Sequence, residues 1–167
     1  MSELKIRDAD SDIIFDSEKE PLTESEYEYL KALALKSAQD FLTLYSSVPD
    51  KDVTSLLPRG TFYGQRPLTA KEMYLHTKSV NNYYFAELGV NATIEPDIYS
   101  CRLNGFTELE KKPDFLKNEV SCGSYDEQWS LRKLLRRFIW HDRIHAKSMY
   151  RMATKLFGST ISNPFQF

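Results

Sequence analysis

Between Trp129 and Gly158, apolar or imidazole side chains recur at steps of four and three: Leu134, Phe138, His141, His145, Met149, Met152 and Leu156. On a 3.6-residue period these positions share one face, which predicts a single long helix with two histidines turned inward. Ser124, Tyr125, Asp126 and Glu127 have the form of a capping box and mark the place where this helix is expected to begin. Two earlier stretches carry the same start signal. Thr23 to Glu26 precedes an apolar row of Tyr27, Leu30, Ala34, Phe41 and Tyr45, widened by Leu33, Ala38 and Leu42, and predicts a helix to about Ser46. Thr69 to Glu72 opens a helix to Leu88, with Gly89 suited to follow its last turn and Met73, His76, Val80 and Tyr83 in one row. Ile98, Cys101, Leu103, Phe106 and Leu109 suggest a further helix despite Gly105 inside it, and Pro113 can open a short turn after it.

The remaining segments lack a sustained period. Residues 1–20 form a charged arm expected to pack through Ile13, Ile14 and Phe15 alone, and residues 158–167 form a surface tail. The connection from Ser47 to Leu68 carries three prolines and two glycines and is long for a bundle, yet Leu56, Leu57, Phe62 and Tyr63 favour docking over disorder. It is a candidate lid. No run alternates with period two and no internal repeat is present, so the chain reads as one all-α domain over residues 1–167, a bundle of four principal helices.

Composition narrows the function classes. With 167 residues, 41% apolar and 28% charged, the chain can bury a sizeable core, and a formal net charge of -2 provides no global attraction to nucleic acid or anionic membrane. The absence of an 18-residue apolar run and of a signal-like N-terminus predicts a cytoplasmic protein without a membrane span. Cys101 and Cys122 stand alone and read as reduced packing thiols.

All three histidines of the chain, His76, His141 and His145, fall on expected core faces. Imidazoles four residues apart on a helix can converge on one ion at about 2.0–2.1 Å, and a third from a neighbouring helix would complete a site with a position left open for water or substrate. The structural alternative is three core imidazoles, each satisfied by hydrogen bonding.

The run from Glu127 to His145, with Trp129, Ser130, Arg132, Leu135, Arg136, Trp140, His141 and His145 in place, resembles the last helix of the DinB-like (damage-inducible, YfiT-like) superfamily, whose pattern is W-S/T-x-R-x-x-L-R followed by W-H-x-x-x-H. Thr69 to His76, followed by Tyr83 and Tyr84, resembles that family's second helix. The resemblance extends in organisation over residues 23–157. It implies an up-down-down-up four-helix bundle, a divalent zinc, nickel or iron ion on His76, His141 and His145, and a homodimer. Characterised members of that family include metal-dependent thiol S-transferases, a mycothiol-dependent isomerase and the N-terminal domain of ergothioneine-pathway sulfoxide synthases. The acidic arm and the long connection depart from the family's simplest pattern.

Neutral imidazole ligands leave a metal's charge uncompensated, so a bound water or thiol is strongly acidified, which suits transfer or isomerisation using a low-molecular-weight thiol on a small-molecule substrate. No residue is assigned a catalytic role. Tyr63, Arg66, Tyr83 and Tyr84 are candidates to line the pocket, and Glu72 or Asp142 could orient an imidazole. Opposite the histidines, Arg132, Arg136, Arg143 and Lys147 share a side with Trp129 and Trp140, a pattern that fits a dimer surface, a covering chain segment or a solvated basic face better than a nucleic-acid reader. The competing reading of the whole chain is a non-catalytic dimeric helical binding module with structural histidines.

Overall fold

The computed structural model describes residues 12–61 and 64–167. Four helices carry the architecture: α1 (Glu24–Ser47), α2 (Ala70–Glu87), α3 (Ile98–Leu109) and α4 (Leu131–Phe157). The first two begin at the expected capping boxes. Thr23 Oγ1 accepts the Glu26 N–H while Glu26 accepts the Thr23 N–H, and Thr69 with Glu72 repeats the arrangement. Gly89, at φ 66°, ends α2 in the left-handed conformation that suits a residue without Cβ.

Helix directions follow from contacts at their ends. The Lys71 N–H donates to the Lys51 carbonyl, so the long connection returns close to where α1 stopped. The segment after α2 then doubles back along it: Asn82 donates to the Ala92 carbonyl, Lys78 to that of Pro96, and the Ile98 N–H to Tyr74 Oη. α3 therefore starts at the same end as α2 and runs parallel to it. Tyr27, near the start of α1, donates to Glu110 just past α3, whereas Ser162 beyond α4 donates to Ser47 at the end of α1. α1 and α4 thus run together, opposite to α2 and α3. Each of α1 and α2 packs on both α3 and α4, while the two touch each other only weakly, which leaves them on a diagonal of the bundle.

Two buried clusters fill the bundle, one around Phe85, Phe106, Leu134 and Phe138 and one around Phe41, Met73, Ile98 and Met149. α2 and α3 approach closely at Gly105, where an added Cβ would lie 2.0 Å from Phe85 Cε2.

Several expectations are corrected. The all-α reading omits two small antiparallel ladders, β1 (Gly60–Thr61) with β2 (Gly64–Gln65), and β3 (Ser121–Cys122) with β4 (Gln128–Trp129). Ser124 to Glu127 does not open the last helix: Tyr125 and Asp126 lie at φ 59° and 58°, Glu87 takes the Ser124 N–H, and Glu127 turns to Lys133. Ser130 is the cap instead, accepting the Lys133 N–H. Trp129 accordingly lies in β4 and is buried, not on the basic side of α4. Leu103 and Leu156 belong to apolar rows by spacing but are exposed, because α3 and α4 roll their buried faces toward Arg102 and Ala153.

Residues 1–11 of the arm lie outside the described residues; its described part, residues 12–20, is held by polar contacts more than by the apolar knot, since Ile13 is 69% exposed. Buried Glu18 pairs with Arg136, whose guanidinium also lies 4.6 Å over the Phe15 ring. Ser130 Oγ and Asn118 Nδ2 donate to the Glu18 carbonyl, Arg132 donates to the Glu20 and Pro21 carbonyls, and Lys133 donates to that of Asp12. At the far end, Arg143 sits over Phe167 in the tail. Of the readings for the basic stripe, a covering chain segment is the one met at Arg132, Arg136 and Arg143. Among the described residues, no helix is long and apolar enough to cross a membrane.

Candidate metal centre

The two helices that the sequence marked for histidine chemistry meet along the bundle. α4 places His141 and His145 one turn apart, and α2 places His76 opposite them. Among the described residues this is the group of three or more His, Cys, Asp or Glu side chains that can hold a metal, with one ligand atom from each residue within 4.8 Å of the others. His76 Nε2 and His141 Nε2 lie 3.2 Å apart. Ring centroids are separated by 4.7 Å for His76 and His145 and by 4.5 Å for His141 and His145. Two nitrogens each about 2.0–2.1 Å from a tetrahedral ion stand about 3.4 Å apart, so the Nε2 pair already has close to the spacing of two ligands on one ion.

Electrostatics keep the imidazoles neutral, the form that binds metal. Burial lowers all three pKa values: His145 is pushed down to about 3, with His76 adding repulsion, and His141 falls well below its usual value, assisted by His145, His76, Arg137 and Arg102. Among the described residues, no carboxylate shifts any of them. Glu72 and Asp142, the expected orienting acids, are both engaged elsewhere. Glu72 accepts the N–H groups of Leu68 and Thr69 as a cap, and Asp142 forms a fully buried pair with Arg102. Arg102 also donates to Asn81 Oδ1 and to the Ala34 carbonyl, tying α1, α2 and α4 to α3. Among the described residues the second ring nitrogen of His141, Nδ1, is buried without a hydrogen-bond partner, so packing fixes that ring, including a perpendicular contact with Tyr84 at 6.1 Å.

The histidines open onto a cavity of about 480 Å³. Its walls include the expected Arg66, Tyr83 and Tyr84; Tyr63 lies outside the described residues. His76 and Tyr83 are more exposed than core residues because their face of α2 borders this cavity. Thr61, Gln65 and Pro67 bring the long connection to the rim, and Asp12 brings the arm. Burial, aided by Glu87 and Glu127, pushes the Tyr83 phenol up to about 12, so it remains a neutral hydroxyl at pH 7. Tyr84 Oη accepts from Arg137, which also pairs with Asp12 at 3.1 Å.

Sequence reasoning missed Trp129, Glu127, Arg137 and Asp12 as cavity residues. Arg137 and Glu127 carried a usable signal, being charged positions that flank the aromatic and histidine motifs. Asp12 had none, because only the folded arm brings it there. No protein-family model, curated protein or solved structure matches this chain.

Proposed function

We propose that this chain is a metal-dependent enzyme of the DinB-like type, one that uses a low-molecular-weight thiol for transfer to, or isomerisation of, a small-molecule substrate. One observation carries the reading: three neutral imidazoles from two helices gather within ligand distance at the wall of an open cavity. A structural metal site is closed by its fourth protein ligand, whereas a catalytic one keeps a position free. The parallel pair α2 and α3, running opposite to α1 and α4, supports the DinB-like assignment, as do the quoted motifs. Zinc, nickel and iron all suit imidazole, so the donor set does not choose among them. A divalent ion here would supply Lewis acidity that holds a thiol deprotonated at neutral pH. The chain's own contribution is to fix the imidazoles by packing, to keep Tyr83 as a neutral hydrogen-bond donor, and to border the space with the connection before α2. The resemblance also carries homodimer formation.

A second reading draws on the same 3.2 Å contact. His76 and His141 can share one N–H···N hydrogen bond in a metal-free core, making the chain a helical binding module.

The test is consumption of cysteine or glutathione with 1-chloro-2,4-dinitrobenzene by zinc- or nickel-loaded protein. Sulfur bonds to the ring carbon, chloride departs with the bonding pair and the thiol proton is released. The enzyme reading expects turnover abolished by chelator and by His145→Ala. Bound metal with no accelerated consumption across a panel of thiols and electrophiles would favour the binding module.

A further inference from the structure

Charge inside the histidine cavity is unevenly compensated. Its two acids are already engaged, Asp12 with Arg137 at 3.1 Å and Glu127 with Lys133 at 3.3 Å. Lys133 is satisfied further by the carbonyls of Gln128 and Asp12. Arg66 differs. It lines the same cavity, yet among the described residues its guanidinium has no ion pair or hydrogen bond, and its Nε is buried without a partner. Trp129, also in the lining, holds a second buried N–H, Nε1, that no described residue accepts. Arg66 is half-buried, and a buried guanidinium N–H without an acceptor is costly; a ligand in the cavity would supply that acceptor. With a divalent ion on the histidines, the cavity would hold two uncompensated positive centres, the ion and Arg66.

We infer that Arg66 is a substrate-recognition residue, and that the thiol this site takes carries a carboxylate which Arg66 binds. The inference rests on the three-histidine metal reading and deepens it. A carboxylate presents two oxygens to the parallel N–H groups of a guanidinium, a match that neither an amide nor an alcohol reproduces. Arg66 lies in the connection between α1 and α2, so the segment that borders the cavity also provides its selectivity.

The experiment uses cobalt-substituted full-length protein and reads the sulfur-to-cobalt charge-transfer band. The probes are 3-mercaptopropionate and its amide, 3-mercaptopropionamide, which share chain length and sulfur and differ in charge. The wild type is expected to bind the carboxylate thiol about 10- to 100-fold more tightly, the range that loss of a charge-assisted hydrogen bond gives. Arg66→Gln should bring the two within about threefold while cobalt binding stays intact, and Arg66→Lys should recover part of the preference. Cobalt bound, with both thiols held equally by the wild type or with the preference intact in Arg66→Gln, would overturn this inference alone. Failure to bind cobalt, or the absence of a charge-transfer band with either thiol, would overturn the metal and thiol reading and this inference with it.

Discussion

Asp142, next in the chain to His141, gives its carboxylate to Arg102 and not to an imidazole: Arg102 Nη2 donates to Asp142 Oδ1 at 3.0 Å with both side chains fully buried. The pair ties α3 to α4 across the second diagonal of the bundle. Asp142→Asn keeps the volume but leaves the guanidinium as an uncompensated buried charge, a change expected to cost about 3–5 kcal/mol in urea unfolding. The folded fraction should still bind metal at the wild-type ratio. Lost metal at unchanged stability would instead make Asp142 an orienting residue for the site.

Gly105 tests the closeness of α2 and α3. Alanine is the better helix former, but its Cβ would meet the Phe85 ring. Gly105→Ala should therefore destabilise by about 1–3 kcal/mol despite its propensity advantage. A stabilised variant would mean that the helices pack further apart than described.

Acid should unfold the metal-free protein through its histidines. Folding lowers all three histidine pKa values, so in this pH range the unfolded chain binds more protons than the folded one. The stabilisation is complete above the unfolded histidine value near 6.5 and is lost as pH falls below it toward the folded values. His141 and His145 each contribute about 1.4 kcal/mol per pH unit while protonated only in the unfolded state, and the exposed His76 contributes less because water screens it. Chelated wild type should show its urea midpoint falling from pH 7 to pH 5, and His145→Gln should show a shallower fall. A midpoint flat across that window would contradict the buried neutral imidazoles.

Trimming the connection between Leu56 and Gln65 tests whether it acts as a lid. Metal content should be retained, because no histidine lies in it, while discrimination among thiols should fall. Unchanged discrimination and turnover would remove the lid from the account.

The local signals in the sequence were legible where the decisive contacts are local. Thr23 with Glu26 and Thr69 with Glu72 bond within one turn, and both helices begin there. Ser124 to Glu127 has the same residue types, but Glu87 takes the Ser124 N–H and Lys133 takes the Glu127 carboxylate, so long-range contacts override the motif. His141 and His145 could be paired from their spacing, and their convergence with His76 followed from the small number of histidines. The Arg102–Asp142 pair was missed although both members interrupt otherwise buried faces. Two opposite charges on two core faces are a readable sign of a buried pair. Arg66 could be named as a pocket residue, but its lack of a counter-ion depends on where Asp12 and Glu127 fold, which no local pattern encodes.

Metal stoichiometry bears most directly on the central claim. Elemental analysis of untagged protein purified without chelator should give one divalent ion per chain, and His145→Ala should lose it. No metal above background in the wild type, even after dialysis against zinc and nickel at neutral pH, would contradict the account and leave three core histidines in a helical binding module.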